Sequence, residues 1–134
     1  MPGINISMAL ANQLLGHAQS SPEQEICGLV AASNGTASHS YPIKNIATDP
    51  AHIFEMDPEQ QIDAMRTMRE QGDELFAIYH SHPHASAEPS AIDIEQSSYP
   101  DAYYLIISLD TEGVLEMRAW QLQNGSVTAI DIEV

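Results

Sequence analysis

Two histidines flank one serine in His80-Ser81-His82, and after seven intervening residues comes Ser90-Ala91-Ile92-Asp93. In an extended chain, residues i and i+2 project to the same side, so the His80 and His82 imidazoles can converge on one point. Ser90 and Asp93 stand i and i+3 at a helix start and share a face. Two neutral imidazoles and one carboxylate suit a tetrahedral Zn2+, and three protein ligands leave the fourth position for water, as in a catalytic zinc site. The expectation is one Zn2+ per chain on His80, His82 and Asp93, with water as the fourth ligand. Ser-x-x-Asp is also a helix capping box, so the spacing by itself leaves Asp93 a second, purely structural reading.

Hydrolysis at such an ion needs a further group to take a proton from water and pass it to the leaving amine. Glu25 immediately precedes the apolar run Ile26-Cys27-Gly28-Leu29-Val30-Ala31-Ala32. A carboxylate at a strand start can face a cleft, with its pKa adjusted by the metal and by partial burial. Glu23 is the rival, and spacing does not choose between them. His84 lies beyond Pro83 and is read as exposed or as a supporting residue outside the ligand set. His17, His39 and His52 have no ligand-like company and are read as structural.

The elements that must position these groups follow from periodicity. Residues 6–18 place apolar Met8, Leu10, Ala11, Leu14 and Leu15 on one helical face, and Ser20-Ser21-Pro22 ends that helix, which opens the fold. Strands are expected at 26–32 and 39–43, joined at Ser33-Asn34-Gly35. Asp57 caps a second helix with Pro58 in its first turn, and Gly72 ends it. A strand over 75–79 leads into the histidines, a loop runs to Pro89, and residues 90–97 form a short helix. Further strands fall at 103–109, 114–120 and 126–132, separated by Asp110-Thr111-Glu112-Gly113 and Asn124-Gly125. The fold class is α/β: a single domain over residues 1–134, with a mixed, mostly antiparallel sheet flanked by helices.

Four Lys and Arg against 19 Asp and Glu give a formal charge of −15, a field that repels phosphate backbones and excludes nucleic acid as a natural partner. No stretch has the ~20 apolar residues of a membrane span, and no basic cluster precedes an apolar run at the N-terminus. A soluble, cytoplasmic protein is expected. The lone Cys27 cannot form an internal disulfide and is read as a small buried hydrophobe. A zinc deaminase is excluded, because there is no His-x-Glu followed by Pro-Cys-x-x-Cys.

Glu25-Ile26-Cys27-Gly28-Leu29 with His80-Ser81-His82-Pro83 and Ser90-Ala91-Ile92-Asp93 resembles the signature of the JAMM (MPN+) metalloproteases, and the order of elements resembles that family's core from about residue 6 to about residue 130. The resemblance implies the JAMM/MPN, cytidine-deaminase-like architecture. It implies zinc ligation by His80, His82 and Asp93, general acid/base work by Glu25, and oxyanion stabilisation by Ser90. The chain's size resembles the stand-alone prokaryotic branch. That implies cleavage after the C-terminal Gly-Gly of a ubiquitin-like or sulfur-carrier protein, and leaves a homodimer open. It also implies substrate contacts from residues 49–72, with Phe54 and Met56 either touching an extended tail or packing into the core. The competing function is a non-catalytic MPN-type module that binds a ubiquitin-like tail or partner subunit and uses zinc only for structure.

Overall fold

The computed structural model describes residues 3–111 and 115–134. The order is β1 (Gly3–Asn5), α1 (Met8–Ser20), β2 (Cys27–Ser33), β3 (Thr36–Ile43), α2 (Pro58–Glu70), β4 (Glu74–His82), α3 (Ala91–Gln96), β5 (Tyr103–Ser108), β6 (Glu116–Gln123) and β7 (Ser126–Glu133). Seven strands form one sheet in the order β1-β7-β6-β5-β4-β2-β3. The β1–β7 and β4–β5 pairs are parallel and the others antiparallel, which is the mixed, mostly antiparallel α/β sheet expected. Among the described residues, no helix is long and apolar enough to cross a membrane.

The turns follow from local chemistry. Asn34 and Gly35 have φ of 53° and 80°, and Asn124 and Gly125 have 52° and 80°. A two-residue hairpin turn with both central residues at positive φ matches the twist of its strands, and Asn-Gly is the pair that tolerates it best. Ser7 caps α1 by accepting from the Leu10 N–H at 3.1 Å, and Asp57 caps α2 by accepting from the Glu59 N–H at 3.0 Å.

Period-2 alternation divides the nearly unbroken apolar strands between two cores. Ile26, Val30, Ala77, Tyr79, Leu105 and Ile107 face one side, where α1 contributes Leu10, Ala11, Leu14 and Ala18. Cys27, Leu29, Ala31, Ile78, Tyr104 and Ile106 face the other, against Ala64 and Met68 of α2. The buried central strands are therefore hydrophobic on both faces, and the polar exceptions on them mark the site.

Several expected bounds shift. The fold opens on β1, not on a helix: three residues pairing in parallel with β7 are too few to show a periodic signal. Ile6 lies before α1, because Ser7 is its cap, and the helix runs on to Ser20. β3 starts at Thr36, directly after the tight turn. β4 continues past Tyr79 through His82, since Ile106, Ile107 and Ser108 pair with His80, Ser81 and His82. Ser90 and Ser97 are the caps of α3 and lie outside it. Leu109 follows β5, and β7 reaches Glu133. The expected strand over 114–120 is β6, which begins at Glu116 and runs to Gln123; Val114, with Glu112 and Gly113 of the expected turn, lies outside the described residues.

Candidate active site

β4 and β2 bring together residues far apart in the chain. They are antiparallel, with Cys27 opposite His80, and the ladder continues outward as the Ser81 N–H donates to the Ile26 carbonyl at 3.0 Å. Two positions upstream of Cys27, Glu25 thus arrives beside His82 on the face that carries both histidines. Glu25 is only 4% exposed, whereas the Glu23 side chain is 82% exposed and lies 3.5 Å from His84, which is also exposed. Among these three, only Glu25 joins the cluster; Glu23 and His84 lie outside it.

His80 Nε2 and His82 Nε2 are 3.2 Å apart, and each lies 3.1 Å from Asp93 Oδ2. One ligating atom each from Glu25, His80, His82 and Asp93 fall within 4.8 Å of one another. Ligands held at ~2.0–2.1 Å in a tetrahedron stand roughly 3.3 Å apart, so the two nitrogens and the Asp93 oxygen have the spacing of zinc ligands. His82 Nδ1 donates to the Ser86 carbonyl at 2.7 Å, which fixes the tautomer and leaves the Nε2 lone pair facing Asp93. Two lone-pair acceptors held 3.1 Å apart need a cation or a proton between them. Glu25 Oε1 is buried without a hydrogen-bond partner, as is His80 Nδ1. Buried carboxylates with an open partner position and converging imidazoles form a donor set that fits a divalent ion.

The capping reading of Ser90 and Asp93 holds, and it is compatible with the ligand reading. Ser90 Oγ accepts from the Asp93 N–H at 3.1 Å, and Asp93 Oδ2 accepts from the Ser90 N–H at 2.9 Å, completing a capping box. The same Oδ2 meets both histidines. Capping is therefore what aims the carboxylate, and the Ser90 hydroxyl hydrogen stays available as a donor.

Electrostatics follow from burial and neighbours. Burial pushes the Glu25 carboxyl up to about 8, with the His82 charge opposing and the Asp93 and Asp49 charges adding to the rise. Burial also lowers the His80 pKa. For His82 the same desolvation is outweighed by hydrogen bonds to Asp93 and Ser86, which leave its pKa above the ordinary value. Asp93 is desolvated too, but hydrogen bonds from His80 and His82 hold its carboxyl well below the usual carboxylate range.

The loop after β4 is pinned where it leaves the site. Ser108 Oγ donates to the Ala85 carbonyl at 2.7 Å and Trp120 Nε1 to the Ala87 carbonyl at 2.9 Å. A cleft of about 180 Å³ opens beside His80 and Asp93, lined by Phe54, Met56, Ile92, Gln96 and Tyr99 among others. Phe54 stacks on the His80 ring with centroids 4.4 Å apart. Phe54 and Met56 also pack against the core, which meets the packing expectation for them while leaving part of each on the cleft wall. Cys27 is fully buried, its Sγ 3.4 Å from the Ile43 carbonyl and its pKa raised to about 12 by burial and the Glu25 charge. It is an inert core residue. His17 is also structural, with Nδ1 2.8 Å from the Tyr79 hydroxyl.

A family profile described as prokaryotic homologs of the JAB domain matches residues 7–123. The chain belongs to this Prok-JAB family. This JAB-domain chain is 32% identical over 123 residues to a protein named desampylase from Haloferax volcanii, covering 87% of each chain. It is 28% identical over 127 residues to the CysO-cysteine peptidase of Mycobacterium tuberculosis, covering 93% of this chain and 86% of that one. Among solved structures it superposes on a protein from Desulfitobacterium hafniense with a TM-score of 0.85 and 29% identity, covering 97% of this chain and 91% of that one.

Residue spacing did not single out Ser81, Ser86 or Asn45, although all three bear on the site. Only Ser81 had a local signal, a polar residue inside an otherwise apolar strand.

Proposed function

We propose that this JAB-domain chain, residues 1–134 taken as one domain, is a zinc metallopeptidase. It hydrolyses the bond after the C-terminal Gly-Gly of a ubiquitin-like or sulfur-carrier protein, acting in the cytoplasm. The observation that carries the reading is the convergence of His80 Nε2, His82 Nε2 and Asp93 Oδ2 at 3.1–3.2 Å, within 4.8 Å of a buried Glu25 carboxylate that has an unpartnered oxygen. The desampylase and CysO-cysteine peptidase relatives support the substrate class.

His80, His82 and Asp93 would hold one Zn2+, which when bound supplies Lewis acidity that polarises the scissile carbonyl and lowers the pKa of a water ligand to ~7. Glu25 takes the proton of the attacking water on its free Oε1 and delivers it to the leaving amine. Its burial makes it a stronger base than an exposed carboxylate, and the cation beside it would keep it ionised at neutral pH. The Ser90 hydroxyl donates to the developing oxyanion while its lone pair continues to cap α3. The cleft between Phe54 and Met56 on one side and Ile92 and Tyr99 on the other receives an extended tail leading to the scissile bond.

Ser90→Ala is expected to lower kcat by about 10- to 1000-fold with a smaller change in KM, the signature of a lost transition-state donor. It should also destabilise α3 by about 1 kcal/mol, since the cap is lost with the hydroxyl. Ser90→Thr keeps a hydroxyl that can both cap and donate and should retain both, which steady-state kinetics and thermal melts will measure. The function itself is tested by incubating the zinc-loaded protein with a panel of Gly-Gly-ended ubiquitin-like domains fused to a short peptide. Mass spectrometry should find cleavage directly after the second glycine of at least one fusion; cleavage of none would overturn the reading.

A further inference from the structure

Asn45 stands outside the ligand cluster, yet its side-chain amide uses its whole hydrogen-bonding capacity next to it. Nδ2 donates to the Glu25 carbonyl at 2.9 Å and to the Ile53 carbonyl at 3.0 Å. Oδ1 accepts from the Ala47 N–H at 2.9 Å and from the Glu55 N–H at 3.0 Å. An amide has two donor hydrogens and an oxygen that accepts twice, so all four positions are filled. The bonds cross from Glu25, two positions before β2, to both limbs of the loop over 44–57, whose ends are joined by the Asn45–Met56 bridge and by the Ile46 N–H on the Glu55 carbonyl at 2.8 Å.

Two site groups hang from this junction. The Glu25 N–H donates to the Pro50 carbonyl at 2.7 Å, so the same loop holds both backbone groups of Glu25, one through Pro50 and one through Asn45. On the other limb Phe54, next to Ile53 and Glu55, lays its ring on His80. The Glu25 carboxylate has no hydrogen bond of its own on Oε1, so its aim depends on how its backbone is held. Pinning from the opposite side comes from Ser81, whose Oγ accepts from the Ile26 N–H at 2.9 Å.

We propose that Asn45 is a positioning residue that sets the Glu25 carboxylate and the Phe54–His80 stack together by locking the loop over 44–57 to the start of β2. This rests on the reading of Glu25 as the proton carrier. A displacement of order 1 Å at a reacting group lowers rate by up to about 100-fold without any change of chemical groups, and the expected effect of releasing Asn45 is of that kind.

Two variants divide the clamp. Asn45→Ala removes all four bonds. Asn45→Asp keeps acceptors for the Ala47 and Glu55 amides but turns a carboxylate oxygen on the Glu25 and Ile53 carbonyls, which removes the donor half alone. Amide hydrogen exchange, read by NMR, is independent of activity. In Asn45→Ala the Ala47, Glu55 and Glu25 amides should exchange at least about tenfold faster, while those of β4 and β5 stay protected. In Asn45→Asp the Ala47 and Glu55 amides should remain protected and that of Glu25 should not. Both variants should lower kcat by about 10- to 100-fold at a KM within about threefold of wild type. Unchanged exchange at Glu25 in both variants would overturn the proposal, as would kcat within about twofold of wild type, or loss of protection throughout β4 and β5. Should the wild-type protein cleave no substrate, the proposed function falls while the exchange arm still decides the clamp.

Discussion

Replacing Glu25 by glutamine is expected to lower kcat by about 100- to 10000-fold while leaving zinc binding in place. Glutamine keeps the size and the backbone contacts but cannot carry a proton between water and a leaving amine. In the buried position Oε1 has no partner that could substitute for it. The metal-free protein should respond in the opposite sense. Burial raises the Glu25 pKa from its ordinary value of 4.5 to about 8 in the folded state. A group whose folded pKa exceeds its unfolded pKa contributes stability that is full below the unfolded value and is lost as pH rises through the folded one. Wild type in chelator should therefore lose stability between about pH 4.5 and 8, as the buried carboxylate is forced to ionise, and the glutamine variant should not. Melts at pH 5 and pH 8 should show the variant gaining several degrees on wild type at the higher pH. A gap that does not widen with pH, or a glutamine variant as active as wild type, would contradict the role given to Glu25.

Loss of a zinc ligand should be equally severe in rate and milder in fold. His82→Ala, or chelation of wild type, is expected to reduce hydrolysis to background, and added zinc should restore only the chelated wild type. Both should leave the chain folded, because the two cores on either side of the sheet are built from apolar side chains that do not depend on the ion. Zinc then stabilises by mass action: at 100 times its Kd the gain is about 2.7 kcal/mol, read as a rise in Tm. A structural zinc gives the contrary result, with four protein ligands and unfolding on removal. Far-UV circular dichroism and activity measured on the same chelated sample separate the two functions. A chain that unfolds on chelation would return the binding-module reading to the front.

Much of the architecture was legible because period and punctuation agree. The apolar face of α1, the Asp57-Pro58 start of α2 and the two Asn-Gly hairpins each follow from residues within a few positions of one another. Errors fell where the cause is not local. β1 exists only because β7 offers it a partner. His80 to His82 are strand because β5 continues the ladder beside them, whereas the strand expected from the sequence ends at Tyr79. The helix over residues 6–18 came out shifted because Ser7 competes as a cap.

The sequence by itself determined which chemistry this chain can perform. The types and intervals of His80, His82, Ser90 and Asp93 already describe a candidate metal site, since i, i+2 on a strand and i, i+3 on a helix are fixed by backbone geometry. Only the tertiary structure decided the rest. It placed Glu25, and not Glu23, beside the histidines, because the antiparallel pairing of β2 with β4 joins residues 55 positions apart and no pattern along the chain encodes which strands will be neighbours. It showed that the capping box aims Asp93 at the histidines, with a single oxygen meeting the Ser90 amide and both imidazoles. It also revealed Asn45, a half-buried polar residue whose importance lies entirely in four backbone partners that the folded loop brings to it.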